Sequence, residues 1–526
     1  MYWRDILIAL VLTIIILTAG CTGQTEDTDG LVLRIASPME VKSQSVFGDD
    51  NLGVFYSISS PTLYRMNSDG RNVGFLARNC TVSDDKRVWT FYIEKDYYWT
   101  DGSKVTPEDI AFSIQTFGEQ LPSARWIGDT LENVTFDDEC ITFTFTKPYN
   151  NLDFELGYPI ISKKDWEGVA DLYQYTSPGP YTGSGPFYLD SIDHLAGVLT
   201  FKRNPYWKGE IPAIDRIEVH TYRTIDAATL ALERGDVDTY YNYADSYPYS
   251  GIESLNATGS FDFIETTDVG GIFLGMNLKK APTNDLKFRK AIAYAIDYKE
   301  IVKIDALGYG EVPNYGFVPP TMEFYKDTPP LTYDPERAKK LLDAAGYIDS
   351  NNNNWREGKD GKELNLNILI QSDYTRVAEL ITDYFKQIGV KTTINTVDRN
   401  TWINLKFNYN YDLTVTKTTP WEMYIHANYG TGFFDSRRTT QDSLHYLDDP
   451  VFLDLCDKML NSTDPATQRE YAYQIQDYYA ENLPGIALYW KKNVIPYNKA
   501  LSGWEMDPLF GIFSVENFVS VHRVGA

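Results

Sequence analysis

The stretch Gly271-Ile-Phe-Leu-Gly-Met-Asn-Leu278, Lys279-Lys-Ala-Pro-Thr-Asn-Asp285, Leu286-Lys-Phe-Arg-Lys-Ala-Ile-Ala-Tyr-Ala-Ile-Asp297 lies near the middle of the 526-residue chain. Its first part is an apolar run of strand length, and a Pro-containing breaker follows. Its last part is helical, because apolar residues recur on one face at positions 288, 292, 295 and 296. Asn284 is predicted to cap this helix and Asp297 the next one. The stretch therefore predicts a strand that crosses over into a new α/β block.

The size and composition of the chain limit its class. A single core seldom serves 526 residues, so two or three domains are expected. The formal net charge of −25 argues against nucleic-acid partners, which require a basic surface. The 39 Tyr and 11 Trp residues suit a binding cleft with aromatic walls, although most aromatic side chains in proteins belong to the core.

The N-terminus predicts export. Arg4 precedes an apolar run over residues 6–17, which is short for a membrane span. Leu17-Thr-Ala-Gly-Cys21 then reads as a lipobox, so residues 1–21 are predicted to be a lipoprotein signal peptide and Cys21 the lipidated residue. Residues 22–30 are polar and form a flexible tether. The expected location is extracytoplasmic, lipid-anchored to the outer face of the cell membrane. An uncleaved signal or a plain membrane anchor is the alternative.

Three further cysteines, Cys80, Cys140 and Cys456, cannot all pair within one chain. Cys80 and Cys140 fall in one strand-rich region. A disulfide between them and two free thiols are both open.

Two more segments have a defined pattern. Residues 87–113 read as a strand, an Asp101-Gly102 turn and a helix capped by Thr106 with Pro107 at its first position. Residues 199–238 read as strands and a helix. Together with the central stretch, and in this order, they resemble the signatures of the family 5 extracellular solute-binding proteins, which serve peptide and nickel ABC importers. The resemblance extends from Leu31 to about Phe518.

The resemblance implies an α/β, type II periplasmic-binding-protein-like fold. Two α/β lobes would be joined by a two-segment hinge, with residues 274–278 in one crossover, and a small α+β domain would be inserted in the first lobe. The implied boundaries are lobe I at 31–58, 188–272 and 491–526, the inserted domain at 59–187, and lobe II at 273–490.

One loop is the leading candidate for ligand contacts. It follows a predicted strand at 411–416, and open α/β sheets bind ligands at such strand ends. The loop contains Trp421, Glu422, Tyr424 and His426. In peptide binders of the family, an acid in the matching loop pairs with the α-ammonium of the peptide, and Glu422 is the nearest acid here. The usual Ala-Asp-Tyr-x-Asp-Pro pattern is absent. A surface loop with a local ion pair is the alternative.

Other residues resemble the nickel-binding branch, which holds the ion through a small chelator. Residues 280–286, Lys-Ala-Pro-Thr-Asn-Asp-Leu, are closer to that branch. Arg125 and Trp126 stand where an Arg and a Trp of its site fall, and His426 could lie near the metal. Ile160 stands where a second Arg is expected. A solvated charge at a helix end is the alternative for Arg125.

The sequence contains no recognisable catalytic motif, and its five histidines lack metal-ligand spacing. No enzyme activity, cofactor or protein-held metal is therefore predicted. The expected function is solute capture for an ABC permease and ATPase by a monomer. A peptide ranks first as the ligand, a nickel–chelator complex second and an oligosaccharide third. A surface hydrolase is the alternative from another class, and it would need a nucleophile–base pair.

Overall fold

The computed structural model of the protein describes residues 30–66, 72–121, 124–177, 180–418, 447–462, 464–507 and 510–525. Strands are numbered along these parts of the chain. They are β1 (Leu31–Ser37), β2 (Tyr64–Met66), β3 (Asn72–Gly74), β4 (Ala77–Val82), β5 (Val88–Ile93), β6 (Leu131–Phe136), β7 (Cys140–Phe145), β8 (Phe187–Asp193), β9 (Val198–Arg203), β10 (Ile214–Thr221), β11 (Thr239–Tyr240), β12 (Phe261–Met276), β13 (Gly310–Glu311), β14 (Asn365–Ile370), β15 (Lys391–Thr396), β16 (Leu413–Thr418), β17 (Gly485–Asn498), β18 (Leu501–Ser502) and β19 (His522–Arg523).

The helices are numbered in the same way. They are α1 (Asp50–Tyr56), α2 (Pro107–Gln120), α3 (Arg125–Thr130), α4 (Leu152–Glu155), α5 (Lys163–Trp166), α6 (Ile225–Arg234), α7 (Ile252–Thr258), α8 (Leu286–Ala295), α9 (Tyr298–Ile304), α10 (Pro335–Ala345), α11 (Thr375–Gln387), α12 (Arg399–Phe407), α13 (Pro450–Asn461), α14 (Pro465–Asn482) and α15 (Val515–Ser520).

One 11-stranded sheet runs through the molecule in the order β15-β14-β16-β12-β17-β11-β1-β10-β9-β8, with β13 beside β17. On one side, β1 is parallel to β10 and β11, and β9 and β8 extend the sheet in antiparallel order. We call this group the first half-sheet. On the other side, β14 is parallel to β15 and β16, and we call these three the second half-sheet. The antiparallel strands β12 and β17 connect the two groups.

β12 and β17 pair from Phe261 opposite Asn498 to Gly275 opposite Gly485. Between the pairs Ile272–Tyr489 and Phe273–Ala487, Leu488 of β17 is an extra residue. The register is also irregular where residues 268–270 of β12 face the single residue Lys491 of β17, and we call this place the bulge. β13 pairs with β17 at this place. A bulge bends a strand and increases its twist, so this is where the path of the sheet changes between its two halves.

The bulge precedes residues 274–278, where the sequence predicts the crossover, and that placement of the crossover stays a prediction. Leu274, Gly275 and Met276 pair with β16, so they already belong beside the second half-sheet. The apolar pattern could not reveal this, because all residues from Asp268 to Met276 are buried and the run looks uniform.

A smaller sheet, β4-β5-β7-β6, packs on the first half-sheet. Its inward residues, including Phe91 and Phe143, belong to the same apolar cluster as Leu33 and Ile35 of β1. β5 alternates strictly between more and less buried side chains, as expected for a strand with one face in a core. The small sheet thus shares its core with the first half-sheet.

The predicted helix caps can be compared with the structure. Thr106 and Asp109 form a reciprocal capping box at the start of α2, and Asp297 accepts a hydrogen bond from the Glu300 amide at the start of α9. Both predictions are confirmed. The cap of α8 is Asp285, whose carboxylate accepts from the Lys287 amide, so the prediction of Asn284 is wrong by one residue. The Asn284 amide closes the preceding turn by donating to the Lys280 carbonyl, and the helix starts after that turn.

The three cysteines outside the signal region are free thiols. Cys80 lies opposite Phe91, and Cys140 lies opposite Tyr92 on the other side of β5. Two strands on either side of a third are separated by about 9–10 Å, which is too far for a disulfide. Of the two open alternatives, the structure therefore has the free thiols.

Arg289 fixes the ends of both long strands. Its guanidinium donates to the Thr283 carbonyl (3.0 Å), just beyond β12, and to the Asn482 (2.7 Å) and Leu483 (3.0 Å) carbonyls, just before β17. Burial lowers the pKa of Arg289 to about 10, so the group remains charged at neutral pH. One buried cation thus satisfies backbone acceptors from two distant segments.

Replacement of Arg289 by Met should lower the free energy of unfolding by about 3 kcal/mol, because buried carbonyls lose a charged donor. Urea denaturation followed by circular dichroism measures this change. The matched control is Lys290→Met, whose exposed side chain should matter by less than about 0.5 kcal/mol. Equal midpoints for the two variants would contradict the structural role of Arg289.

The bulge between β12 and β17 should tolerate no side chain at Gly271. A Cβ atom there would lie 2.6 Å from Cε3 of Trp490 and 3.1 Å from the Tyr489 carbonyl oxygen. Gly271→Ala should therefore destabilise the protein by about 1–3 kcal/mol. Gly53→Ala is the control, since nothing lies within 4 Å of a Cβ atom at that position of α1. In the same urea experiment, the control should leave the free energy of unfolding unchanged or raise it. If Gly271→Ala also left it unchanged, the Trp490 indole would be free to move away, contrary to the prediction.

Candidate functional site

The ends of strands from both half-sheets meet at one place. β11 ends at Tyr240, and the loop after it extends to Tyr249; β16 ends at Thr418. The two are in direct contact, because the Lys417 ammonium donates to the Ala244 carbonyl. Open α/β sheets bind ligands beyond the carboxyl ends of their strands. This junction is therefore the candidate site in the described part of the chain.

Four charged side chains surround the junction. They are Asp245, Asp268, Lys417 and Lys491, and we call them the ionic cluster. Lys417 Nζ lies 2.7 Å from Asp268 Oδ2, and the Asp268 side chain is fully buried. Asp268 Oδ1 also accepts from the Gly270 amide at 2.9 Å, within the bulge of β12. A buried carboxylate is stable only with such partners.

Lys417 is charged in spite of its burial. Burial alone would lower the pKa of Lys417, but the neighbouring Asp268 and Asp245 carboxylates outweigh this effect and raise it above its ordinary value. Its backbone amide donates to the Tyr374 hydroxyl at 3.0 Å. The ammonium group is thus held in a fixed position.

Asp245 is the most accessible member of the cluster, with 40% of its side chain exposed. It forms an ion pair with Lys491, the residue of β17 that faces the bulge. Partial burial would raise the pKa of Asp245, but Lys491 and Lys417 lower it below its ordinary value. The carboxylate is therefore ionised at neutral pH, and it is the part of the cluster that a solute could reach.

Aromatic side chains flank the cluster. Tyr249 stacks on Tyr309 with ring centroids 5.1 Å apart, and its hydroxyl donates to the Lys492 carbonyl. The Tyr489 hydroxyl donates to Asp305 at 2.7 Å. Buried tyrosines with paired hydroxyls form rigid walls, because few rotamers satisfy both packing and hydrogen bonding.

The two halves of the molecule also meet at a second point. The Asn150 side-chain amide, in the loop after β7, donates to the Leu460 carbonyl of α13. The small sheet that contains β7 packs on the first half-sheet, whereas α13 packs on α14, which leads into β17. The halves thus touch at the ionic cluster and again at this separate place.

The structure shows the environment of Arg125 and Trp126. Arg125 is the first residue of α3, its side chain is 80% exposed, and its partner is Asp129 at 3.9 Å, one turn along the helix. Trp126 stacks on Phe145 and packs against Tyr149 at 5.0 Å between ring centroids. Their roles as ligand contacts remain predictions.

The other predicted ligand residues, Trp421, Glu422, Tyr424 and His426, lie outside the described residues. The last described residue before them, Thr418, directly follows Lys417 of the ionic cluster. Cys21 and the tether at 22–29 also lie outside.

The sequence interpretation missed the ionic cluster. A signal was present, since Asp268 begins a run of buried residues in the middle of β12, and Lys417 interrupts a run of buried residues near the end of β16. Charged residues in such runs are almost always paired. The identity of the partners could not be read, because Asp268 and Lys417 are far apart in the sequence.

The described residues contain no group of three or more His, Cys, Asp or Glu side chains arranged to hold a metal ion. None of the helices in these same parts of the chain is both long and apolar enough to cross a membrane.

Comparison with solved structures identifies the fold. NikA from Brucella suis, in complex with Fe(III)-EDTA, superimposes with a TM-score of 0.83 at 18% identity, covering 94% of this chain and 100% of NikA. The oligopeptide-binding protein AppA from Bacillus subtilis, in complex with a nonapeptide, gives 0.70 at 20% identity, covering 93% and 98%. The predicted type II periplasmic-binding-protein-like fold is confirmed. We use the name lobe I for the first half-sheet with the small sheet, and the name lobe II for the second half-sheet.

Comparison with characterised sequences gives two kinds of relative. The nickel-binding periplasmic protein of Escherichia coli K12 is 25% identical over 344 residues, which is 63% of this chain and 64% of that protein. The chain thus covers less than two thirds of this relative. The glutathione-binding protein GsiB of the same strain is 21% identical over 474 residues, covering 86% and 87%.

The family is shown by the match of a family model to the sequence. The family described as "Bacterial extracellular solute-binding proteins, family 5 Middle" matches residues 72–441, well over half of the chain. The relatives named above are binding proteins, which agrees with the prediction that the chain is not an enzyme. The chain therefore belongs to family 5 of the bacterial extracellular solute-binding proteins.

Proposed function

We propose that the protein is the extracytoplasmic solute-binding component of an ABC importer. It captures a peptide between its two lobes by hinge closure and delivers it, as a monomer, to a membrane permease and its ATPase. The observation that carries this proposal is the pair of long strands β12 and β17, which connect the two half-sheets and whose register is interrupted where they cross between them. A two-segment hinge of this kind allows the lobes to rotate as rigid bodies.

A peptide is the first choice of ligand. The alignment with the glutathione-binding protein GsiB covers 86% of the chain, whereas that with the nickel-binding protein covers 63%. Glutathione is itself a small peptide. In this proposal Glu422 pairs with the ligand's ammonium group, and Trp421 and Tyr424 pack on its side chains. A carboxylate in a closed cleft attracts a cation strongly, because little water screens the charges.

A nickel–chelator complex is the second choice. The nickel-binding relative has the higher sequence identity, and the superposition on NikA with Fe(III)-EDTA is closer than that on AppA. Arg125, Trp126 and His426 would contact the chelator or the metal. Among the residues that the structure describes, the exposed guanidinium of Arg125 has a weak partner, Asp129 at 3.9 Å, and a ligand carboxylate could replace that partner at little cost.

The proposed lobe boundaries follow the sequence prediction, with lobe I at 31–58, 188–272 and 491–526, the inserted domain at 59–187, and lobe II at 273–490. Lipidation of Cys21 would hold the protein at the outer face of the cell membrane through the tether at 22–30.

A thermal-shift screen of the purified protein tests the ligand class. Glutathione and peptides of three to nine residues form one arm, nickel with histidine a second, and cello-oligosaccharides a third. A ligand at 100 times its Kd should stabilise the folded protein by about 2.7 kcal/mol. We expect a shift in the peptide arm.

Two variants separate the first two ligand classes. Glu422→Gln should abolish a peptide shift and leave a nickel–histidine shift intact, and Arg125→Met should do the reverse. A shift confined to the nickel arm would replace the peptide proposal, and one confined to the sugar arm would reject both. No shift in any arm would reject all three ligand classes.

The membrane anchor is tested by Cys21→Ser. The unmodified protein should enter the detergent phase in a Triton X-114 partition, because acyl chains on Cys21 add favourable transfer free energy. The variant should remain in the aqueous phase, or it should retain its uncleaved signal peptide. An equal detergent-phase fraction for both proteins, with the signal removed, would show that Cys21 is not the lipidation site.

A further inference from the structure

The ionic cluster connects parts of the chain that belong to different lobes. Ala244 and Asp245 are fixed to lobe I, because the following residues bond to β17 within its lobe I portion. The Tyr247 amide donates to the Val494 carbonyl at 3.0 Å, and the Ser246 hydroxyl accepts from the Val494 amide at 2.9 Å. Lys417 belongs to lobe II, where β16 pairs with β12 opposite Ile272. The contact from Lys417 to Ala244 therefore crosses between the lobes.

The contact between Lys417 and the Ala244 carbonyl involves a backbone that can adopt few other conformations. Ala244 adopts φ of +49°, a left-handed conformation that a residue with a Cβ atom rarely takes. Its carbonyl accepts the hydrogen bond from Lys417 in this conformation. Such strained residues persist only where surrounding contacts hold them.

The charges form an alternating arrangement across the hinge. Asp268, in the bulge, pairs with Lys417 of lobe II, and Lys491, opposite the bulge, pairs with Asp245 of lobe I. Asp245 is adjacent in the chain to Ala244, so its charge lies on the lobe I side of the Lys417 contact. If the lobes separated at this place, Lys417 would lose the Ala244 carbonyl and move away from the neighbouring Asp245 charge. The arrangement thus favours the closed state before any solute is bound.

We propose that the ionic cluster is a latch that sets the balance between open and closed forms of the ligand-free protein. Lys417 is its moving part and the Ala244 carbonyl is its acceptor on lobe I, next to the Asp245 charge. The latch depends on the two-lobed hinge and not on the identity of the cargo. It matters for function because only the fraction of protein in the binding-competent form contributes to the apparent affinity for a solute.

The test is small-angle X-ray scattering of the purified, ligand-free protein. Asp245→Asn removes the accessible charge on lobe I. The double variant Lys417→Met/Asp268→Asn removes the lobe II charge without leaving the buried carboxylate unpaired. The double variant removes the hydrogen bond to the Ala244 carbonyl, so it should increase the radius of gyration, with the closed-to-open ratio falling by about tenfold. Asp245→Asn should change the radius of gyration in the same direction.

Lys391→Met is the matched control. Its ammonium pairs with Glu363 at 3.0 Å within lobe II, on the edge strand β15, so it should leave the scattering curve unchanged. Circular dichroism checks that each variant is folded, and if the double variant unfolds, Asp245→Asn decides the question. A radius of gyration equal to that of the unmodified protein would overturn the latch. Because no solute is present, this result is independent of whether the ligand is a peptide.

Discussion

The antiparallel pairing of β12 with β17 is the constraint on which the rest of the structure depends. These strands are the shared spine of both half-sheets, so every other strand of the main sheet is positioned, directly or through neighbours, by their register. The pairing is irregular at residues 268–270, where β12 bulges opposite Lys491, and again at Leu488 of β17. Bulges bend a strand and increase its twist, so the ladder bends most readily at these two irregularities. Arg289 strengthens this arrangement by joining the outer ends of both strands.

The bulge also explains why charge is concentrated beside it. A bulge leaves backbone groups without their ladder partners, and polar side chains must satisfy them. Asp268 does so for the Gly270 amide, and its negative charge is then balanced by Lys417. Lys491 and Asp245 extend the same balance to lobe I. The ionic cluster is thus a consequence of hinge geometry, and it places charge where a solute-binding protein of this family changes shape.

Membership in family 5 gives the general activity, but the described residues do not choose among its ligands. A relative that binds nickel and a relative that binds glutathione are 25% and 21% identical to this chain, and both resemble it over most of its length. Fold is therefore a poor guide to cargo, as is general for folds that hold many sites. The cargo depends on side chains presented to the cleft, and four of the six ligand contacts predicted from the sequence belong to the loop at 418–438.

The sequence by itself determined the α/β class, the family, the capped helices and the order of the strand and helix segments along the chain. Each of these depends on local periodicity, turn chemistry or a motif of adjacent residues. It located the caps at Thr106 and Asp297 correctly and that of α8 one residue too early. Only the tertiary structure decided the position of the hinge bulge, the separation of Cys80 from Cys140 by β5, and the pairing of Lys417 with Asp268 and Ala244. These features depend on register and on contacts between distant segments, and a single sequence contains no local signal for either.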